Sequence, residues 1–199
     1  MLTNVNHPST IKKIVLFASG SGTNVENIIR YFNDRKEIVI SCVLSNNKSA
    51  IVHERAKKQN VNSLTFNKDD LQHTDTVLDL LKSIAPDLIV LAGFLWKFPK
   101  NILDQFPNQV INLHPALLPL YGGKGMYGMN VHRAVVENKE KETGITIHYV
   151  NEHYDEGAII AQHKTKLTPE DTPEDVARKI HELEYEHFPK VIEELLKEV

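Results

Sequence analysis

Asp87-Leu-Ile-Val-Leu-Ala92 carries one charge, at its first position, and runs straight into Gly93. A strand that is apolar at every following position has both faces covered. That is the situation of a strand inside a parallel sheet with helices on either side, whereas a strand with one wet face alternates. Working outward, Ile11–Phe17 (IKKIVLF) is a second β-rich run, ending at Ala18-Ser19-Gly20. After it, Asn24 to Asn33 has helical spacing, with Val25, Ile28, Ile29 and Phe32 on one face. Strands are expected at 37–44, 63–66 and 110–113, and helices at 51–59 and 69–84, the latter stopped by Ala85-Pro86-Asp87. Strand alternating with helix argues for a single doubly wound, mostly parallel α/β sheet with helices on both faces. Beyond Asp155 the order changes: Glu142–Val150 and Ala158–Lys166 bracket a polar loop and read as an antiparallel edge. Thr172-Pro173-Glu174-Asp175 is a helix start, with a cap residue, Pro at the first position and acids in the first turn. One domain is expected over residues 11–199, with 1–10 as an N-terminal extension.

Composition bounds the function. The 199 residues are 41% hydrophobic and 25% charged, ordinary for a globular domain, and the net charge of -3 offers no basic field for nucleic acid. One cysteine, Cys42, excludes an internal disulfide and any multi-cysteine metal site. No apolar run reaches the roughly 20 residues of a membrane helix, and Met1–Thr10 lacks the apolar core of a signal peptide. The expectation is a cytoplasmic protein with small-molecule partners, touching neither nucleic acid nor membrane.

Three segments can carry chemistry. Ser19-Gly-Ser-Gly22-Thr23-Asn24 joins the first strand to the first helix, where exposed amides attract anions. The third glycine of a dinucleotide fingerprint is replaced by Val25, no acid closes the second strand, and no Gly-Lys-Ser/Thr follows, so a phosphate or carboxylate cradle fits better than a nicotinamide or ATP site. A plain tight turn is the alternative. Next, Asn112 and His114 stand two apart at the end of an apolar strand, on the same face, before Pro115 turns the chain away. Asn can donate to a developing oxyanion and His can give a proton near neutral pH; a histidine that only satisfies buried polar groups is the alternative. The third is Val150–Gly157, a loop with three acids in which Asp155 could meet His114 and raise its pKa, keeping it charged at neutral pH; alone it reads equally as a solvated turn. His181-Glu182 mimics a zinc-protease helix, but Tyr185 stands where the second histidine belongs, and His53-Glu54 has no partner histidine. No metal site is expected.

In this order, Ala18–Asn24, Leu91-Ala-Gly-Phe94, Ile111-Asn-Leu-His-Pro-Ala-Leu-Leu-Pro119 and Asp155-Glu-Gly157 resemble the glycinamide ribonucleotide formyltransferase family, over nearly the whole chain from Lys12 to the last helix. The Asn-x-His-Pro segment belongs to a wider formyltransferase superfamily and indicates the reaction; the glycine turn bears on the substrate. The resemblance implies transfer of a formyl group from 10-formyltetrahydrofolate, as co-substrate, to the amine of glycinamide ribonucleotide. Carried over, Asn112 holds the formyl oxygen, His114 is the catalytic imidazole and Asp155 pairs with it. Gly22, Thr23 and Asn24 cradle the phosphate, Glu184 contacts the ribonucleotide, and Leu95, Trp96, Lys97 and Phe98, with Asn112, line the folate pocket. No metal is implied.

The sequence departs from the pattern at several points. Trp96 follows Phe94-Leu95 where relatives carry an arginine, and Lys68-Asp69-Asp70 occupies the region of a second family arginine. Asn130 stands where many carry histidine, after a long Gly-rich loop, Tyr121–Met129, that could act as a flap. A methionyl-tRNA formyltransferase would need a basic surface and a tRNA-gripping domain, and a formyltetrahydrofolate hydrolase a regulatory domain that ten N-terminal residues do not form. A non-catalytic anion-binding module would have no use for Asn112, His114 and Asp155 together.

Overall fold

The computed structural model describes residues 11–198; the extension expected over 1–10 lies outside them. The strands are β1 (Lys12–Phe17), β2 (Ile38–Ser45), β3 (Ser63–Thr65), β4 (Leu88–Leu91), β5 (Val110–His114), β6 (Glu142–Tyr149) and β7 (Ile159–Lys166). Between and after them lie α1 (Thr23–Phe32), α2 (Val52–Lys58), α3 (Lys68–Gln72), α4 (Thr76–Ile84), α5 (Lys100–Gln105), α6 (Met129–Glu137) and α7 (Pro173–Glu198). All seven strands form one sheet in the order β3-β2-β1-β4-β5-β6-β7. Pairing is parallel from β3 across to β5 and antiparallel for β5–β6 and β6–β7. The order reverses between β1 and β4, so a crevice opens at the carboxyl ends of those two strands, where ligands of open α/β sheets bind.

Residues 87–92 behave as their composition requires. Val90 packs under α1, α2, α6 and α7, while Ile89 and Leu91 pack under α3, α4 and α5. Ile14 and Leu16 of β1 go to the first core, Val15 and Phe17 to the second, so both faces of the central strands are dry.

The single helix expected over 69–84 is two helices. α3 begins on a capping box, the Asn67 side chain accepting from the Asp70 amide while the Asp70 carboxylate accepts from the Asn67 amide. It ends when the Asp69 carbonyl accepts from both His73 and Thr74 amides, and Thr74 Oγ1 then takes the Thr76 amide at the start of α4. The apolar face of Leu71, Val77, Leu78 and Leu81 is shared by the two pieces, and that is why the spacing reads as continuous. Helices α5 and α6 were not marked by the sequence pattern; each is short, and α6 follows the Gly-rich loop.

α7 starts at a second capping box, Thr172 with Asp175, and Pro173 occupies its first turn. Pro189 lies inside it and has no amide to give the Tyr185 carbonyl. Asn27 Nδ2 of α1 donates to that carbonyl at 3.0 Å instead. The two helices are thereby joined beside the glycine turn.

Candidate active site

The glycine turn is shaped by packing as much as by ligand access. Gly22 caps α1 with φ 71°, and a Cβ there would sit 2.3 Å from Val52 Cγ2 of α2. Glycine is therefore required twice, for the left-handed backbone and for the approach of two helices. The Gly20 carbonyl accepts from the Val52 amide, and the Ser21 carbonyl accepts from Arg55 Nε, which fixes the turn against α2. On the other side Ser19 Oγ accepts from the Leu95 amide, joining the ends of β1 and β4.

At the neighbouring strand end, Asn112 and His114 share a face of β5 as their spacing requires. The antiparallel register sets His148 of β6 directly opposite Asn112. Asn112 Nδ2 donates to His148 Nε2 at 3.1 Å, and His148 Nδ1 donates to the Tyr149 carbonyl at 2.8 Å. A carbonyl can only accept, so His148 is held as the Nδ1–H tautomer and its bare Nε2 orients the Asn112 amide. Gly157 makes room for this: any Cβ there would lie 1.7 Å from the Tyr149 oxygen. His148 escaped the sequence reading because its only signal is the β5–β6 register.

Asp155 reaches both imidazoles. Its Oδ2 is 3.6 Å from His114 Nδ1, its Oδ1 is 3.7 Å from His148 Nε2, and Oδ2 accepts from the Gly123 amide at 2.8 Å. His114 Nε2 donates to the Tyr121 carbonyl at 2.8 Å, so neutral His114 turns a bare Nδ1 toward the carboxylate. The expectation that Asp155 keeps His114 charged at neutral pH is corrected here. Burial of His114 lowers its pKa, and the opposing pull of Asp155 and the Tyr121 carbonyl is the smaller effect. At 3.6 Å the pair is too long for a hydrogen bond, which leaves desolvation dominant. His148 is lowered too, first by burial.

Two cavities flank this polar wall and a cleft joins them. On one side Phe94, Trp96, Lys97 and Phe98 form a pocket with Asn112, His148 and the 150–155 loop. Trp96 packs edge-on against Phe66 and Phe94, and Phe17 against Phe94 and Phe98, so the residue that replaces the family arginine extends an aromatic cluster. Leu95 parts from its neighbours: it is 48% exposed and faces the joining cleft and the other cavity. On the other side lies the cavity of the glycine turn, lined by Gly20–Asn24, Tyr127, His132, His181 and Glu184. Glu184 is buried, its Oε2 accepting from Asn24 Nδ2 at 2.9 Å, and burial pushes its carboxyl up to about 7. The cleft between them is bounded by Asn112, His114, Asp155 and the Gly123–Gly128 loop.

No three His, Cys, Asp or Glu side chains among the described residues are grouped to hold a metal. None of the described helices is long and apolar enough to cross a membrane.

A donor amide, an imidazole and a carboxylate stand at the carboxyl edge of a doubly wound sheet, between two recesses, and the chain belongs to the formyl transferase family, whose model matches residues 12–192. Within it the chain belongs with the phosphoribosylglycinamide formyltransferases. It is 36% identical over 187 residues to the phosphoribosylglycinamide formyltransferase of Haemophilus influenzae, covering 92% of this chain and 86% of that one. It is 34% identical over 201 residues to the chloroplastic enzyme of Arabidopsis thaliana, covering 97% and 68%. The crystal structure of glycinamide ribonucleotide transformylase 1 from Geobacillus kaustophilus superposes with a TM-score of 0.84 at 31% identity, covering 94% of this chain and 99% of that one.

Proposed function

We propose that residues 11–199, as one domain, transfer the formyl group of 10-formyltetrahydrofolate to the amine of glycinamide ribonucleotide, in the cytoplasm and without a metal. The observation that carries this reading is the position of Asn112, His114 and Asp155 along the cleft that joins the aromatic pocket to the glycine-turn cavity. Two substrates entering from opposite ends would meet at that polar wall. In this reading Leu95, Trp96, Lys97 and Phe98 hold the folate, Leu95 from the cleft side. Gly22, Thr23 and Asn24 offer amides to the phosphate, and Glu184 takes the ribonucleotide beside Asn24. The buried, free thiol of Cys42 suits a reducing compartment.

The chemistry follows from the donors. The neutral amine attacks the formyl carbon, a C–N bond forms and the carbonyl oxygen becomes an oxyanion. Asn112 Nδ2 and the protonated His114 stabilise that oxygen. His114 rests neutral, so it takes a proton from solvent water as negative charge develops and returns it when the carbonyl re-forms; its Nδ1–H would face Asp155 in between. The amine proton passes through Asp155 and a water to the folate nitrogen as the second C–N bond breaks. No bond to the enzyme is made. The test is transfer of isotope-labelled formyl from the folate to glycinamide ribonucleotide. Label in the ribonucleotide product is expected; label released only as formate would point to hydrolysis and defeat the reading.

A further inference from the structure

Resting on the reading that the glycine-turn cavity takes the ribonucleotide, we infer that His132 and His181 supply the charge that neutralises its phosphate, taking up protons as the phosphate enters. A phosphate monoester carries between about one and a half and two negative charges at neutral pH. The start of a helix returns only about half a positive charge. Among the described residues no lysine or arginine lines the cavity; Lys124 borders the joining cleft instead. Among the described residues on the cavity wall, the groups that can become cationic are two imidazoles, one from α6 and one from α7.

His132 is 3% exposed and its Nδ1 has no partner; Asn24 Oδ1, in the same cavity, has none either. Of the four buried side-chain polar atoms left unpartnered among the described residues, these two belong to residues that line one recess. A buried donor or acceptor without a partner is destabilising, and a ligand that supplies one removes the deficit.

The titratable groups facing these imidazoles come from more than one element. Across the cavity stands Glu184, held by the uncharged Asn24 of α1. On its outer side His181 borders a groove with Glu174, Arg178, Glu182 and Tyr185, and its ring stacks near Tyr185. Burial pushes His132 down to about 4, the His181 charge adding to the effect, and burial lowers His181 as well. The cavity before binding thus holds neutral imidazoles and a carboxyl that titrates near pH 7. A dianion favours the protonated form of all three groups, so each draws protons in the same direction. The site becomes cationic only with the phosphate inside, which spares the fold two buried charges in its absence.

The experiment is calorimetric titration of the whole protein with the formylated ribonucleotide product, whose amide does not titrate, in buffers of different ionisation enthalpy. It is run between about pH 7 and 9, where the phosphate stays dianionic. Net proton uptake is expected, with the dissociation constant rising up to about tenfold per pH unit for each proton coupled. The dephosphorylated riboside should bind weakly and take up none. His132→Gln and His181→Gln should each weaken product binding at neutral pH and reduce the uptake, whereas Glu184→Gln should leave part of it. Should His132→Gln fold poorly, the wild-type titration and His181→Gln decide. Binding without uptake, equal uptake with the riboside, or uptake abolished by Glu184→Gln and untouched by both histidine variants would overturn the inference. A protein that formylates the ribonucleotide with no proton coupling sinks this inference alone; one that neither formylates it nor binds its product sinks the function as well.

Discussion

The polar wall on β5 and β6 and the glycine-turn cavity lie side by side at one sheet edge, yet they are held in opposite ways. In the wall, ladder register sets Asn112 opposite His148, and one loop brings Asp155 to both histidines. In the cavity, groups from α1, α6 and α7 converge, Asn24 and Glu184 being 160 residues apart. Unpartnered buried atoms occur in the cavity, at Asn24 and His132, and none of the wall's side chains is among them. A reacting centre gains from groups already aimed before substrate arrives. A binding recess can leave partners for the ligand to supply.

The largest effects test the wall. His114→Ala and Asp155→Asn should each lower turnover by roughly 10²–10⁴-fold, with little change in folate binding. Asp155→Asn also removes a group that raises the His114 pKa, so less His114 is protonated at a given pH and the basic limb of the rate profile moves to lower pH. Turnover measured across pH for both variants checks this; an Asp155→Asn enzyme with an unmoved limb would transfer the role to another acid of the loop, Glu152 or Glu156.

Next in size is a stability effect confined to the cavity. The folded pKa of Glu184, about 7, lies above its ordinary value of 4.5. Its contribution is fully present below that ordinary value and is lost as pH rises toward 7. The stability of the wild type minus that of Glu184→Gln should therefore fall by ~3 kcal/mol across this window and be flat above it. Urea unfolding at several pH values gives the difference, in which the histidines cancel; a constant difference would mean that the carboxyl is solvated.

Gly22→Ala should cost about 1–3 kcal/mol through overpacking against Val52, read as a lower urea midpoint, and should raise the KM for the ribonucleotide. Val52→Ala in the same chain should restore part of the loss. Should the alanine be tolerated without change, the close approach of α1 and α2 is not what selects glycine.

The smallest effect sharpens the comparison from the wall's side. His148→Phe removes the acceptor that orients Asn112 and should lower turnover about tenfold, the size of one lost hydrogen bond, leaving the KM for the ribonucleotide alone. An equal loss in KM would mean that wall and cavity are coupled.

Much of this was legible in advance because it is local. Apolar strands, the Gly22 turn, the Asn112–His114 spacing and the Thr172–Asp175 helix start are each set by neighbours within a few residues. The break at His73–Asp75 was not, because the apolar face continues across it and hides two ends made by backbone hydrogen bonds. Trp96 read as a departure from the family, and only the aromatic cluster around Phe17, Phe66 and Phe94 gives it a packing role.

By itself the sequence determined the sheet's class, the strand end that carries Asn112 and His114, and the glycine turn that leads into α1, since periodicity and backbone preference act along the chain. The tertiary structure decided the partners and the charges. His148 faces Asn112 through antiparallel register, and the cavity histidines meet Glu184 through the packing of α6 and α7. His114 rests neutral because burial outweighs a carboxylate 3.6 Å away. Register, helix packing and desolvation depend on residues far apart in sequence, and no local pattern encodes their sum.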